Sequence, residues 1–161
     1  MNNKNIAFVD TNNIFLFQDI QLDQNFQDKL FKIMQFLKNE LKIDVIKVYL
    51  KTSAPKDELM NFKQKLQEKF KNIELYYVTK KLAGFPDYDV TLAVHALMAC
   101  IEDNYNHIYL VTGDCGYSVL ADVLSKKYNC LVTLIANRKS CSLNLLKHVE
   151  RIIYIPEDLL T

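Results

Sequence analysis

Acidic side chains follow two of the apolar segments of this sequence. Asp10 comes directly after the apolar run 6–9, and Asp114 lies three positions beyond the run 108–111. Hard divalent cations such as Mg²⁺ and Mn²⁺ take carboxylate oxygens as ligands. Two acids at neighbouring strand ends would repel each other without a cation, so the pair indicates a cation site. Asp is also favoured as a helix N-cap, and each of these two precedes a candidate helix.

A third acidic position lies in the segment FPDYDVTLA, at the start of an amphipathic helix. Either Asp87 or Asp89 can be the N-cap of that helix. If one of them caps the helix, the other is free to face the sheet. The order of the segments therefore allows Asp10, Asp89 and Asp114 to converge.

The elements that would position these acids alternate between strand and helix along the whole chain. Short apolar runs rich in β-branched and aromatic residues predict strands, mostly buried on both faces, at 6–9, 45–50, 73–78, 108–111, 131–135 and 152–155. Segments with helical spacing of apolar residues lie between them. This alternation predicts an α/β fold of three α/β/α layers around a mainly parallel sheet. With 161 residues and no linker, we expect one domain, residues 1–161.

Ligands of open parallel sheets bind beyond the carboxyl ends of the strands, so basic residues at these ends can contact a bound partner. Four cations follow the third and fifth strands: Lys80, Lys81, Arg138 and Lys139. They can contact a nucleic-acid backbone or lie in solvated loops. Phe85 and Tyr117 flank the acids and can stack on unpaired bases or pack under their own helices.

Composition and charge exclude several classes of protein. The net charge is only +1, so a nucleic-acid partner would need a local basic patch. Three unclustered glycines argue against a dinucleotide or P-loop site, and Asp10 lacks the second acid of a D-x-D phosphoaspartyl motif. Four scattered cysteines indicate reduced thiols, and we interpret Cys115 as a small packing residue. Without a signal sequence or a long apolar run, we expect a cytoplasmic protein with no membrane partner.

Four short motifs occur in the order typical of one family. They are DTNNI at 10–14, DVTLA at 89–93, VTGD at 111–114, and a closing segment that contains SL at 142–143 and HVERIIY at 148–154. Together they resemble the NYN domains, a branch of the PIN-like nuclease superfamily, over nearly the whole chain.

The resemblance implies a Rossmann-like fold with the first and fourth strands adjacent, and metal-dependent cleavage of RNA. It implies that Asp10, Asp89 and Asp114 bind Mg²⁺ or Mn²⁺ or orient water. Asn13 and Thr112 would support these acids through hydrogen bonds. The implied chemistry is hydrolysis of the phosphodiester by water that the cation activates.

The sequence departs from the family pattern at two acidic positions. Gly116 replaces the second acid of the G-D-x-D-F motif, and His95 replaces an acid of the helix that begins near Asp89. His95 is itself a candidate ligand or general base, or only a packed residue. Two hypotheses follow: a ribonuclease with a reduced acidic site, or an inactive module that binds RNA or a protein. A homo-oligomer is compatible with both.

Overall fold

Six parallel strands form the central sheet of the protein. The computed structural model describes residues 4–161. The strands are β1 (Asn5–Asp10), β2 (Val45–Thr52), β3 (Ile73–Thr79), β4 (His107–Val111), β5 (Leu131–Ala136) and β6 (Arg151–Tyr154). Their order in the sheet is β3-β2-β1-β4-β5-β6, and all five pairings are parallel. The sheet has the strands that the sequence predicts, with β1 and β4 adjacent.

Helices connect the strands as the alternating pattern predicts. They are α1 (Thr11–Phe15), α2 (Gln24–Gln35), α3 (Lys56–Lys69), α4 (Asp89–Ile101), α5 (Ser118–Asp122) and α6 (Leu143–Leu146). Wider π-helical segments, Phe36–Glu40 and Val123–Lys127, extend α2 and α5. Cys115–Tyr117 forms a 3-10 turn before α5.

Two hydrophobic cores lie on opposite faces of the sheet. One core packs α2 and α3 against inward-facing residues such as Val9 and Val48. The other core packs α4 and α5 against residues such as Phe8 and Leu110. Alternate residues of one strand supply the two cores because successive side chains of a strand point to opposite faces. The fold is therefore a three-layer α/β/α arrangement, and the predicted fold class is confirmed.

The outer strands differ from the prediction that strands are buried on both faces. In β3 only Ile73 and Leu75 are buried, and none of the four residues of β6 is. Each of these strands has one neighbour in the sheet, so their outer sides are exposed. The central strands β1 and β4 are buried almost throughout and provide a rigid base for the residues that follow them.

The described residues contain no helix that is long and apolar enough to cross a bilayer. The four cysteines form no disulfide bond within the described residues.

Candidate metal centre

Asp10 is the last residue of β1 and is buried, with 4% of its surface exposed. Its Oδ1 accepts hydrogen bonds from the Tyr88 hydroxyl and from the Asn13 backbone N–H at 3.4 Å. Its Oδ2 accepts one from the Thr112 hydroxyl at 2.9 Å. Burial raises the pKa of Asp10, and these hydrogen bonds oppose the rise only in part. Asp10 thus caps the short helix α1 and also presents a fixed carboxylate at the strand end.

Asp114 lies in the turn between β4 and the next helix. Its backbone N–H donates to Thr112 Oγ1 at 3.2 Å, and its Oδ1 accepts from the Gly116 backbone N–H at 2.9 Å. Thr112 therefore bonds to both acids, through its hydroxyl hydrogen to Asp10 and through its oxygen to Asp114. This shared hydroxyl couples the ends of β1 and β4.

Asp87 and Asp89 have different roles at the start of α4. Asp87 Oδ1 accepts from the Asp89 backbone N–H at 3.2 Å and lies 3.5 Å from Lys51 Nζ. The Tyr117 hydroxyl donates to Asp89 Oδ1 at 3.0 Å. The residue that precedes the helix is Tyr88, whose side chain makes no capping bond. Asp87 therefore supports the helix start locally, which leaves Asp89 to face the other acids.

The pKa of Asp89 is raised to about 6, chiefly by burial and further by the charges of Asp87 and Asp10. The hydrogen bond from Tyr117 lowers it, although not enough to restore its ordinary value. Burial alone would raise the pKa of Asp87. Hydrogen bonds with Asp89 and the nearby charge of Lys51 outweigh burial, and the pKa of Asp87 is therefore lowered. The two neighbouring carboxylates are thus tuned in opposite directions.

Carboxylate oxygens of Asp10, Asp89 and Asp114 all lie within 4.8 Å of one another. This donor set consists only of carboxylates, which suits a hard divalent cation with water completing its shell. The raised pKa values of Asp10 and Asp89 show that the charged forms of these carboxyl groups are disfavoured when no cation balances them. A cation would remove that penalty, so the residues present fit a divalent metal ion.

Asn13 and Gly113 hold the two strand ends together. Asn13 Oδ1 accepts from the Gly113 backbone N–H at 2.7 Å and from the Ser140 hydroxyl at 3.3 Å. A Cβ added to Gly113 would lie 2.4 Å from the Ser140 carbonyl oxygen and 2.6 Å from Cys141 Cα. Only glycine allows this close approach of two backbone segments. Asn13 therefore supports the cluster indirectly, by fixing the chain that leads to Asp114.

The three acids open into a cavity of about 380 Å³. Its other lining residues are Asn12, Asn13, Phe17, Gln18, Lys51, Phe85 and Tyr88. Three of these residues, Lys51, Tyr88 and Phe17, were not among the site residues predicted from the sequence. Lys51 could have been predicted, because it directly follows the second predicted strand, 45–50, just as the other candidates follow theirs.

His95 does not join the acid cluster. It lies on α4 with its ring 4.7 Å from that of Tyr76, and its Nδ1 shares a hydrogen bond of 2.7 Å with the buried Tyr49 hydroxyl. Burial, followed by the charge of Lys47, lowers the pKa of His95. The geometry therefore gives a packed histidine in place of a ligand, because the rotation of α4 directs this side chain toward β2 and β3.

The aromatic and basic candidate residues lie in different surroundings. Tyr117 is only 2% exposed and bonds to Asp89, so it packs under its helix and presents no face for a base. Phe85 is half-buried and lines the acidic cavity. Arg138 lies over the Tyr154 ring at 3.9 Å, and Lys139 Nζ is 3.3 Å from Glu157. These two cations line a different cavity, and Lys80 and Lys81 are exposed beyond the edge strand β3.

Comparisons with known proteins agree with this architecture. A solved structure of a protein of unknown function from Vibrio parahaemolyticus RIMD 2210633 superposes with a TM-score of 0.67 at 19% sequence identity. The match covers 98% of this chain and 97% of that one, and at this identity it supports the fold alone. A search of curated proteins gave no match. The family model described as NYN domain matches residues 5–156. The chain therefore belongs to the NYN domain family.

Proposed function

We propose that this protein is a metal-dependent ribonuclease that hydrolyses phosphodiester bonds at a three-aspartate site. The observation that carries the proposal is the convergence of Asp10, Asp89 and Asp114 within 4.8 Å in a chain of the NYN family. Sites carry function and folds do not, so this cluster bears more weight than the sheet topology.

The three aspartates would have different roles because their surroundings differ. Asp10, fixed by Tyr88 and Thr112, and Asp114, fixed by the Gly116 N–H, would hold a divalent cation. A bound Mg²⁺ or Mn²⁺ would offset charge that develops on the phosphate and lower the pKa of water. Asp89, with a pKa of about 6, is suited to orient a water and to accept a proton at its carboxylate near neutral pH.

RNA is the proposed substrate. Phe85 and the half-exposed Phe17 line the cavity beside the acids, where an unpaired base can stack on an aromatic ring. The cations that follow the outer strands, Lys80, Lys81, Arg138 and Lys139, would contact the backbone farther from the cleaved bond.

An inactive binding module is the second candidate. The observation that favours it is the absence of an acid at Gly116 and the remote position of His95, which leave three carboxylates in the cluster. Such a module would bind RNA or a protein partner without cutting.

Isothermal titration of the chelator-treated protein with Mn²⁺ tests the proposal first. We expect one binding event that is lost in Asp10→Asn and kept in Asp57→Asn, an exposed aspartate of α3 that serves as a matched control. Cleavage of a labelled single-stranded RNA should require Mn²⁺ and fall at least about 100-fold in Asp114→Asn. Binding of RNA without cleavage would favour the inactive module, and cleavage retained in Asp114→Asn would refute the assigned site.

A further inference from the structure

One basic side chain belongs to the acidic cavity itself. Among the described residues that line the cavity, Lys51 alone is a lysine or arginine. It lies near the carboxyl end of β2, and its side chain is 26% exposed. Its Nζ is 5.2 Å from the centre of the Tyr88 ring, and Tyr88 donates to Asp10. The ammonium group thus lies beside the acids rather than on an outer surface.

The backbone of Lys51 is held firmly in this position. Asn12 Oδ1 accepts from the Lys51 N–H at 2.8 Å, and Asn12 Nδ2 donates to the Lys51 carbonyl at 3.2 Å. The Ile20 N–H also donates to that carbonyl, at 3.0 Å. The buried Asn12 lies in α1, two residues after Asp10, so the same segment fixes both the acid and the lysine. A change at the Lys51 side chain would leave these backbone bonds in place.

Charge explains why a cation is useful here. Three carboxylates with one divalent ion keep a net negative charge, which repels an entering phosphodiester. Among residues 4–161, the acid that pairs with the Lys51 ammonium is Asp87, at 3.5 Å, and the Asp87 side chain is 61% exposed. Such a solvated ion pair contributes little stability and can be exchanged for another anion.

We infer that Lys51 is a substrate-binding residue whose ammonium group contacts a phosphate of the nucleic acid in the acidic cavity. The inference rests on the proposed function and adds a residue to it. Lys51 pairs with Asp87 in this structure, and a phosphate replaces that partner when the nucleic acid binds.

The same strand provides a matched control. Lys47 lies four residues earlier on β2, about 13 Å along the strand, and is 20% exposed. It pairs with the exposed Glu74 at 3.8 Å and lies over the Tyr76 ring at 5.8 Å. Lys47 thus has the same kind of ion pair and aromatic contact as Lys51 but does not line the cavity.

The test measures binding of a fluorescein-labelled single-stranded decauridylate by fluorescence anisotropy at several salt concentrations. Ca²⁺, another hard cation with oxygen ligands, replaces Mn²⁺ so that Mn²⁺-dependent cleavage does not consume the RNA, and gel electrophoresis verifies that the RNA is intact. Lys51→Gln should weaken binding about tenfold and reduce the slope of log K against log salt by about 0.7, the value for one phosphate contact on a single strand. Lys51→Arg should keep the slope. Lys47→Gln should match the parent in both quantities.

Asp87→Asn separates phosphate binding from a purely structural ion pair. It removes the same ion pair as Lys51→Gln, yet we expect RNA binding at least as strong as in the parent protein. Equal weakening in Asp87→Asn and Lys51→Gln, or in Lys47→Gln and Lys51→Gln, would overturn the inference.

Mn²⁺ titration distinguishes this failure from failure of the proposed function. Lys51→Gln should bind Mn²⁺ no more weakly than the parent, since no ligand is removed. If the parent binds Mn²⁺ and cuts RNA while Lys51→Gln keeps the parental affinity and salt slope, only the inference on Lys51 fails. If the parent binds neither Mn²⁺ nor RNA, both proposals fail.

Discussion

The central and the outer strands of the sheet end in different environments. At the ends of β1 and β4, the polar groups of Asp10, Thr112 and Asn13 bond to one another or to nearby backbone. Beyond β3 and β5, the cations are exposed, and Lys139 pairs with the exposed Glu157. Burial makes the central ends rigid and perturbs their pKa values, whereas the outer ends remain solvated. Substitutions should therefore have large effects at the centre and small ones at the edges.

Gly113→Ala should have the largest effect on stability. The added methyl group would meet the Ser140 carbonyl oxygen at 2.4 Å, and neither backbone segment can move without breaking the bonds that surround the cluster. We expect a loss of about 3 kcal/mol, or roughly 6–12 °C in Tm for a chain of this size. Thermal unfolding by circular dichroism measures it. Gly116→Ala is the control, because its Cβ would approach only the Asp114 side chain, at 3.3 Å. Equal losses in the two variants would contradict this account.

Acidification should weaken cation binding at the central ends. Asp89 has a pKa of about 6, so its charged fraction falls about tenfold between pH 7 and pH 5, and Mn²⁺ affinity should fall with it. Titration calorimetry at both pH values measures the change. An affinity independent of pH over this range would mean that the charge of Asp89 does not contribute to cation binding.

The same shift gives a stability effect of opposite sign in the metal-free protein. Between pH 3.8 and about 6 the folded Asp89 binds more protons than the unfolded one, so its contribution to stability is lost as the pH rises through that window. Asp89→Asn should therefore raise the Tm of the chelated protein more at pH 7 than at pH 4. A difference that stays constant with pH would contradict the raised pKa.

Adding an acid beside Asp114 should increase the Mn²⁺ affinity of the acid cluster by a moderate factor. Gly116→Asp places a carboxylate next to the Asp114 side chain, and the charge of the ligand set tunes cation affinity. We expect Mn²⁺ to bind about fivefold more tightly in calorimetry. His95→Asp, which restores the other missing family acid, should leave Mn²⁺ affinity unchanged because His95 lies against Tyr49 and Tyr76. Tighter binding in His95→Asp alone would contradict the placement of this residue.

The smallest effects should appear at the outer cations. Lys80→Ala and Arg138→Ala should each lower affinity for the labelled decauridylate by about twofold, because an exposed charge outside the cavity adds a screened contribution. Anisotropy titrations at low and high salt measure it. A loss as large as that expected for Lys51→Gln would move the main phosphate contact to the edge of the sheet.

The sequence predicts the central region well because its signals are local. Buried strands appear as short apolar runs, and Asp10 and Asp114 stand next to them, so the parallel sheet brings the acids together. Asp89 was one of two candidates, and local hydrogen bonding at the helix start separates it from Asp87.

The site features that were not predicted depend on which elements pack side by side. This information is not contained in any short stretch of the sequence. Lys51 reaches the cavity because β2 lies beside β1, and that neighbour relation appears only in the folded sheet. His95 was a candidate by its position in the family motif and Tyr117 by its position beside the acids in the sequence. Helix rotation determines what each side chain contacts. The single domain, the homo-oligomer and the cytoplasmic location stay predictions.

The bonds of Asn13 have a consequence for the folding of the chain. Its side chain bonds to Gly113 and Ser140, which lie 100 and 127 positions after Asn13 in the sequence. Contacts of such long sequence separation form late, because a long loop must close before they contribute. We expect a nascent chain that has emerged only as far as β4 to lack the ordered acid cluster. Folding order would thus delay the ordering of the acid cluster until the segment that contains Ser140 has been synthesised.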